Sequence, residues 1–363
     1  MNIDSEIIMS GDIQIGDRWV GVGHPSLIIG ELSANHVGSL HVAKQTIRAM
    51  AEAGADAVKI QTDTLLEGTG STIDCKNDYF TIRDGSIWDG ANLYDLFMET
   101  YTPLEWHQPL KELSEELGLL FFSTPYSPES ADFLDELGVP AYKIASMELV
   151  DRPFLEYVAQ KGKPLVLSRG MSEFDDIKKA VEICRDAGNN QVIVLHCISE
   201  YPTKLEDANV SVVPRIMDDF GVISGVSDHT PGIEVPVAST VLGGRVIEKH
   251  VILDRKLGGP DASFSLDISE FKHMVESVRN AEKALGDGNY ELPKKVKNQS
   301  FTGRSLFVVK DVEKGERFTK ENVRSIRPGD GMDPNRKPDI LGKTATRKIS
   351  RGTPLSPRFI SNL

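Results

Sequence analysis

The chain has 363 residues, 40% of them hydrophobic and 26% charged, a balance that excludes a mainly disordered polymer and supplies a large apolar core. Its 41 Lys and Arg against 54 Asp and Glu leave a formal charge of −13, which repels polyphosphate backbones and argues against nucleic acid as a partner. Single cores stop growing near about 250 to 300 residues, so one large domain with a small appendage is expected.

The first 30 residues carry Asp and Glu early and no basic region leading into an apolar stretch, and no run of about 18 apolar residues occurs, so a soluble cytoplasmic protein is expected. From Leu27 onward, short runs rich in Val, Ile and Leu alternate with longer amphipathic segments. Eight runs read as strands: LIIGELS from Leu27, ADAVKIQT from Ala55, GLLFFSTP from Gly118, AYKIAS from Ala141, PLVLSRG from Pro164, QVIVLHC from Gln191, VISGVSDH from Val222 and RVIEKHVIL from Arg245. Helices are expected between them, among others over Leu40 to Ala53, Pro103 to Leu117, Ser172 to Ala187 with Ser172 as its cap, and Ile268 to Leu285. Eight βα units in about 260 residues suit a closed (β/α)8 TIM barrel, an α/β fold, better than an open sheet.

One stretch, Thr64 to Thr102, is too long for an ordinary βα loop and reads as a lid or a disordered segment, the lid being favoured because Trp88, Leu93, Tyr94 and Phe97 give it something to pack. After Leu285 the composition changes. Residues 1–286 are expected to form the barrel with an N-terminal extension, 287–300 a linker, and 301–363 a small β-rich module that is marginal alone. Cys75, Cys184 and Cys197 are odd in number and far apart, which fits reduced thiols rather than a disulfide framework or a metal knuckle.

Reactive residues gather at the C-terminal ends of the eight runs: Glu31, Lys59, Gln61, Ser123, Thr124, Lys143, Ser146, Ser168, Ser199, Ser227, His229, Glu248 and His250. In barrels of this kind that end carries the active site. Strands often turn polar where they leave a core, but Lys59, Lys143 and Glu248 would be costly there without partners. Residues two apart on a strand share a face, which pairs Lys59 with Gln61, Ser227 with His229 and Glu248 with His250. The two histidines suit either an open divalent-metal site or a hydrogen-bonded core pair. Lysines with hydroxyls suit a phosphate and a carboxylate, and a Schiff-base aldolase would also use a barrel lysine. No GxxxxGK[ST] or GxGxxG loop is present to cradle ATP or a dinucleotide.

ELSANH (Glu31 to His36), AGADAVKIQT, FFSTPYS, YKIAS, YPT (Tyr201 to Thr203), SDHT and RVIEKH resemble the sialic acid synthase family. RPGDGMDP from Arg327 resembles that family's antifreeze-like (SAF) domain, so the likeness spans about 330 residues. ELSANH, GSIWDGANLYDL and GGPDASFSL are most similar to the pseudaminic acid synthase branch. The resemblance implies condensation of phosphoenolpyruvate with an amino sugar, 2,4-diacetamido-2,4,6-trideoxy-L-altrose in that branch, giving a nonulosonic acid and phosphate. Sister synthases make N-acetylneuraminate or legionaminate; a non-catalytic glycan-binding or assembly protein is the reading from another class.

By the same resemblance His229 and His250 would bind Mn2+, with Mg2+ or Co2+ as substitutes. Lys59, Thr124, Lys143, Ser146, Ser168, Ser199 and Ser227 match positions around phosphoenolpyruvate, while Gln61, Tyr201, Asp261 and Arg327 match sugar-contacting positions. Glu31, Glu148 and Glu248 are the candidates for proton handling. Arg327 resembles an arginine delivered into a partner's barrel, which implies a domain-swapped homodimer. Two residues depart from the family pattern: Ser199 stands in place of an asparagine of the neuraminate branch, and Arg169 in place of a threonine.

Overall fold

The structure, a computed structural model, describes residues 11–297 and 300–363. The first ten residues of the expected N-terminal extension, and positions 298–299 of the expected linker, lie outside the described residues. Eight parallel strands follow the eight runs: β1 Leu27–Glu31, β2 Ala57–Thr62, β3 Leu120–Pro125, β4 Tyr142–Ile144, β5 Leu165–Ser168, β6 Val192–Cys197, β7 Ile223–Asp228 and β8 Val246–Ile252. Each pairs with the next, and β8 pairs with both β7 and β1, so the sheet closes. Covered on both faces, such strands must be apolar throughout except where a polar group has partners.

The helices before Gly286 are α1 Leu40–Ala53, α2 Leu93–Thr100, α3 Leu104–Glu116, α4 Pro128–Leu137, α5 Arg152–Ala159, α6 Phe174–Asp186, α7 Val212–Phe220, α8 Glu234–Val241 and α9 Ile268–Leu285. Polar caps fix several starts: Ser39 accepts from Val42 N–H, and Asp267 accepts from Ser269 and Glu270 N–H. The expected Ser172 cap is corrected. Helix α6 starts two residues later, after Glu173, whose N–H donates to Asp176, and the Ser172 hydroxyl is buried without a partner. The acidic first turn, Asp175 and Asp176, favours the positive end of the helix dipole there.

A hairpin, Ile13–Ile15 with Arg18–Val20, stoppers the barrel at the N-terminal ends of the strands. Ile13, Ile15 and Val20 join the main core. Arg18 ties the hairpin to Asp56, just before β2, at 3.0 Å and to Gly118 O, just before β3, at 3.2 Å.

The register sets which side chains share the interior. Glu31 lies opposite Lys59 and His250, Gln61 opposite Thr124, and Glu248 opposite Ser227. Intervening residues face the helices: Thr62 meets His107 of α3, and Tyr142 meets Asp135 of α4. Lys249 falls on this outer face, fully buried, 2.5 Å from Asp228 and bonded to Thr230 O.

The chain divides into two compact units, the first ending at Gly286 and the second starting at Asp287. In the second, strands Ser305–Val308 and Val323–Ile326 pair antiparallel, and short bridges add Met332, Ile349 and Pro354. Its own core contains Leu306, Val308, Phe318, Val323, Ile340, Leu355 and Phe359.

Removing one partner of a buried ion pair strands the other charge. Lys249→Ala is expected to cost about 3 to 5 kcal/mol, read as a lower denaturant midpoint, whereas Lys249→Met combined with Asp228→Asn should recover most of it. An unchanged midpoint for the single variant would show that the pair does not stabilise the β7–β8 wall.

Candidate active site

The C-terminal ends of the strands bring four charges into one dry cluster. Glu31, Lys59, Lys143 and Glu248 are each no more than 3% exposed. Lys59 Nζ lies 2.7 Å from Glu31 and 3.7 Å from Glu248, and Lys143 Nζ lies 3.4 Å from the same Glu248 oxygen. Lys59 also donates to Thr124 Oγ1 at 3.1 Å, and Ser227 donates to Glu248 at 3.1 Å. Two ammonium groups thus share one carboxylate, which is why these costly residues fold inward together.

Burial pulls against every charge here, and the pairings decide the outcome. For Glu248, Lys143 and Lys59 overcome burial and hold the carboxyl down at about 2. Lys59 is raised because Glu248 and Glu31 outweigh burial, whereas burial prevails at Lys143 and lowers it. Burial likewise raises Glu31 despite Lys59. Glu148, in the turn after β4, is pushed up to about 7, chiefly by burial, with Lys143 opposing. One of its oxygens is buried and unpartnered.

A cradle of hydroxyls lies beside the lysines. Ser168 Oγ and Ser199 Oγ are buried without hydrogen-bond partners. A Cβ on Gly170 would collide with both Ser146 Oγ and Ser199 Oγ, so this glycine keeps open the space into which two hydroxyls point. Unmet donors beside two ammonium groups suit an oxyanion.

On the β7–β8 side the rings of His229 and His250 stand 5.4 Å apart. His229 Nδ1 lies 2.9 Å from Ile198 O, so its N–H donates there and Nε2 is left as the basic nitrogen. His250 Nδ1 is buried without a hydrogen bond, 3.5 Å from Asp261. Among the described residues no three His, Cys, Asp or Glu side chains form a metal-binding group. Two imidazoles, one with a buried unpartnered nitrogen, and a nearby carboxylate fit an open-sided divalent site, not a closed structural one.

Over the histidines sits an aromatic roof. Tyr201 packs on His229 at 4.2 Å, Phe264 on His250 at 5.0 Å, and Trp88 on Tyr201 at 5.2 Å. The 64–102 insertion therefore reaches the barrel mouth, with Trp88 turned inward while Leu66, Ile73 and Tyr79 stay exposed. Asp63 starts the excursion by accepting from Thr64 and Ser71 N–H. Leu93, Tyr94 and Phe97 of α2 are half-buried.

The sequence-predicted residues of the first unit converge, with Ser123 as the exception. It faces the helices and bonds to Thr62 and Ile60 O. Gln61 donates to Glu31 at 3.3 Å and to Ser33 at 2.9 Å. Asp261 accepts from Ala34 N–H at 3.3 Å. Arg169 turns away from the cradle, bonding to His196 Nδ1 and Ser172 O. Arg327 belongs to the second unit, where it is exposed and precedes a cis proline.

Sequence reasoning missed several supports. Ser33, at φ 43°, aims its hydroxyl at Gln61; Asn35 ties this turn to Val251 O and Ser265; His36 meets Thr100 O and Trp106 under the insertion. Cys197 fills the floor, 3.8 Å from both Ser146 Oγ and His229 Nδ1. Only its place at the end of β6 could have pointed to it.

The NeuB family matches residues 46–290 and the SAF domain matches residues 303–360. Pseudaminic acid synthase of Helicobacter pylori is 42% identical, covering 92% of this chain and 97% of that protein. N,N'-diacetyllegionaminic acid synthase of Legionella pneumophila is 36% identical over 90% and 92%. Among solved structures, N-acetylneuraminic acid synthetase from Leptospira borgpetersenii superposes with a TM-score of 0.70 at 31% identity, covering 80% of this chain and 95% of that one. The match over residues 46–290 and the 42% identity to a relative over 92% of the chain, on a closed eight-stranded barrel followed by a SAF domain, show that the chain belongs to the NeuB family.

Proposed function

We propose that the chain is a pseudaminic acid synthase, condensing phosphoenolpyruvate with 2,4-diacetamido-2,4,6-trideoxy-L-altrose to give pseudaminic acid and phosphate. One observation carries the chemistry: Lys59 and Lys143 flank Glu248 beside the unpartnered hydroxyls of Ser168 and Ser199, a dry nest for an anion with two acidic groups. The 42% identity to pseudaminic acid synthases, against 36% to a legionaminic acid synthase, supports the choice of sugar.

In this reading Lys59, Thr124, Lys143, Ser146, Ser168, Ser199 and Ser227 hold the phosphate and carboxylate of phosphoenolpyruvate. Gln61, Tyr201 and Asp261 orient the sugar, and Arg327 joins them from a partner subunit in a domain-swapped homodimer. The methylene carbon attacks the sugar aldehyde, forming the C–C bond. Water adds to the cationic carbon that results, and the tetrahedral product breaks its C–O bond to release phosphate. Glu148, near neutrality, and Glu31, raised by burial, are suited to move the protons of these steps. His229 and His250 would hold a divalent ion, Mn2+ in our reading, which when bound supplies Lewis-acid polarisation of the aldehyde. The described residues contain no helix long and apolar enough to cross a membrane.

Phosphate release measured with the diacetamido-altrose, its legionaminate-type isomer and N-acetylmannosamine should be fastest with the first. Exclusive use of N-acetylmannosamine would overturn the assignment. Chelation should abolish turnover in a metal-reversible way, and His250→Ala should remove the reversal while keeping the melting temperature. A borohydride-trapped lysine adduct, with activity indifferent to chelator, would instead indicate a Schiff-base aldolase.

The folded pKa of Glu148 lies above its unfolded value of 4.5, so the stability it contributes is present below about pH 4.5 and lost as pH rises through about 7. Glu148→Gln should therefore gain up to about 3 kcal/mol relative to the parent between pH 4.5 and 8, seen in denaturant titrations, while losing turnover. A pH-independent stability difference would remove Glu148 from the buried ionisable set.

A further inference from the structure

The insertion places one unmet donor over the site. Trp88 Nε1 is buried with no acceptor among the described residues, although buried indole N–H groups normally find one. The ring is held in place by neighbours that themselves cover the histidines. It tilts against Tyr201 at 5.2 Å and meets Phe264 edge-on at 6.3 Å. Tyr201 in turn packs on His229 at 4.2 Å, and Phe264 on His250 at 5.0 Å. Ile87 beside it remains exposed, so it is Trp88 and not its neighbour that turns toward the histidines.

We propose that Trp88 is a specificity residue whose indole N–H donates to the carbonyl oxygen of an N-acyl group on the sugar substrate. A pure acceptor flanked by a methyl group suits an N–H set among aromatic faces. A hydroxyl would bring a donor of its own needing a further partner there. Because the donor is orphaned without ligand, the bond forms only when the acylated sugar is bound, and a sugar lacking that acyl group leaves it unmet. The inference rests on the amino-sugar synthase reading above.

The test compares the full-length parent with Trp88→Phe, which keeps the aromatic packing and deletes the donor. Steady-state KM is measured for the diacetamido sugar and for two analogues, each with one acetamido group replaced by a free amine, at saturating phosphoenolpyruvate. In the parent, loss of one of the two acyl groups should raise KM about 3- to 10-fold. In Trp88→Phe that discrimination should vanish, with the KM for phosphoenolpyruvate unchanged and a melting temperature no lower than the parent's, since a buried unmet donor has been removed. Discrimination that persists in Trp88→Phe overturns the proposal. So does a parent indifferent to both acyl groups, or a variant with equal KM increases for both substrates and a lowered melting temperature, which would mark Trp88 as packing alone. If the parent uses a different N-acylated amino sugar, the choice of sugar above fails, and the same comparison made with the accepted sugar decides the role of Trp88 separately.

Discussion

Everything at the barrel mouth depends on placing two ammonium groups around one carboxylate away from water. Lys59 and Lys143 are tolerable in the interior only because Glu248 and Glu31 lie within ion-pair distance. Those acids are tolerable only because of the lysines. The four come from β1, β2, β4 and β8, so the arrangement exists only when the sheet has closed in one register. A slip of one residue would turn each charge toward the helices and bring Lys249, already matched to Asp228, into the wrong compartment.

The outer face of the wall is built with the same logic. Lys249 and Asp228 pair behind the strands whose inner faces carry Glu248, Ser227 and the two histidines. Adjacent positions on β7 and β8 therefore alternate between chemistry and its mounting. The ELSANH turn divides its labour similarly: Glu31 enters the charge cluster, Ser33 steadies Gln61, Asn35 grips Val251 O, and His36 anchors the foot of the insertion. This second set of contacts holds the first with little freedom, as preorganised catalysis requires.

All eight strands could be read from the apolar runs, because a sheet buried on both faces leaves a continuous signal. Period-two reasoning likewise paired Lys59 with Gln61 and Glu248 with His250, since that alternation is a property of the backbone itself. Residues whose role comes from partners distant in sequence were harder. Cys197 and Trp88 acquire their places from β7, Tyr201 and Phe264, and nothing local to either residue announces that. Ser172 misled because a serine before a helix is a sound cap signal, yet Glu173 and the acidic first turn take that end. Ser123 misled by its position beside Thr124, one residue away and therefore on the opposite face. Lys249 was passed over for its neighbours, although a charge inside an apolar run demands a partner wherever it points.

The hairpin beneath the strands, pinned by Arg18 to Asp56 and Gly118, makes the barrel a blind shaft. In the proposed reading, a small anion held by Lys59 and Lys143 would have no rear exit, and a sugar docked beneath Tyr201 and Trp88 would stand in its doorway. Depth would then order the traffic: the deeper guest would enter first and depart last.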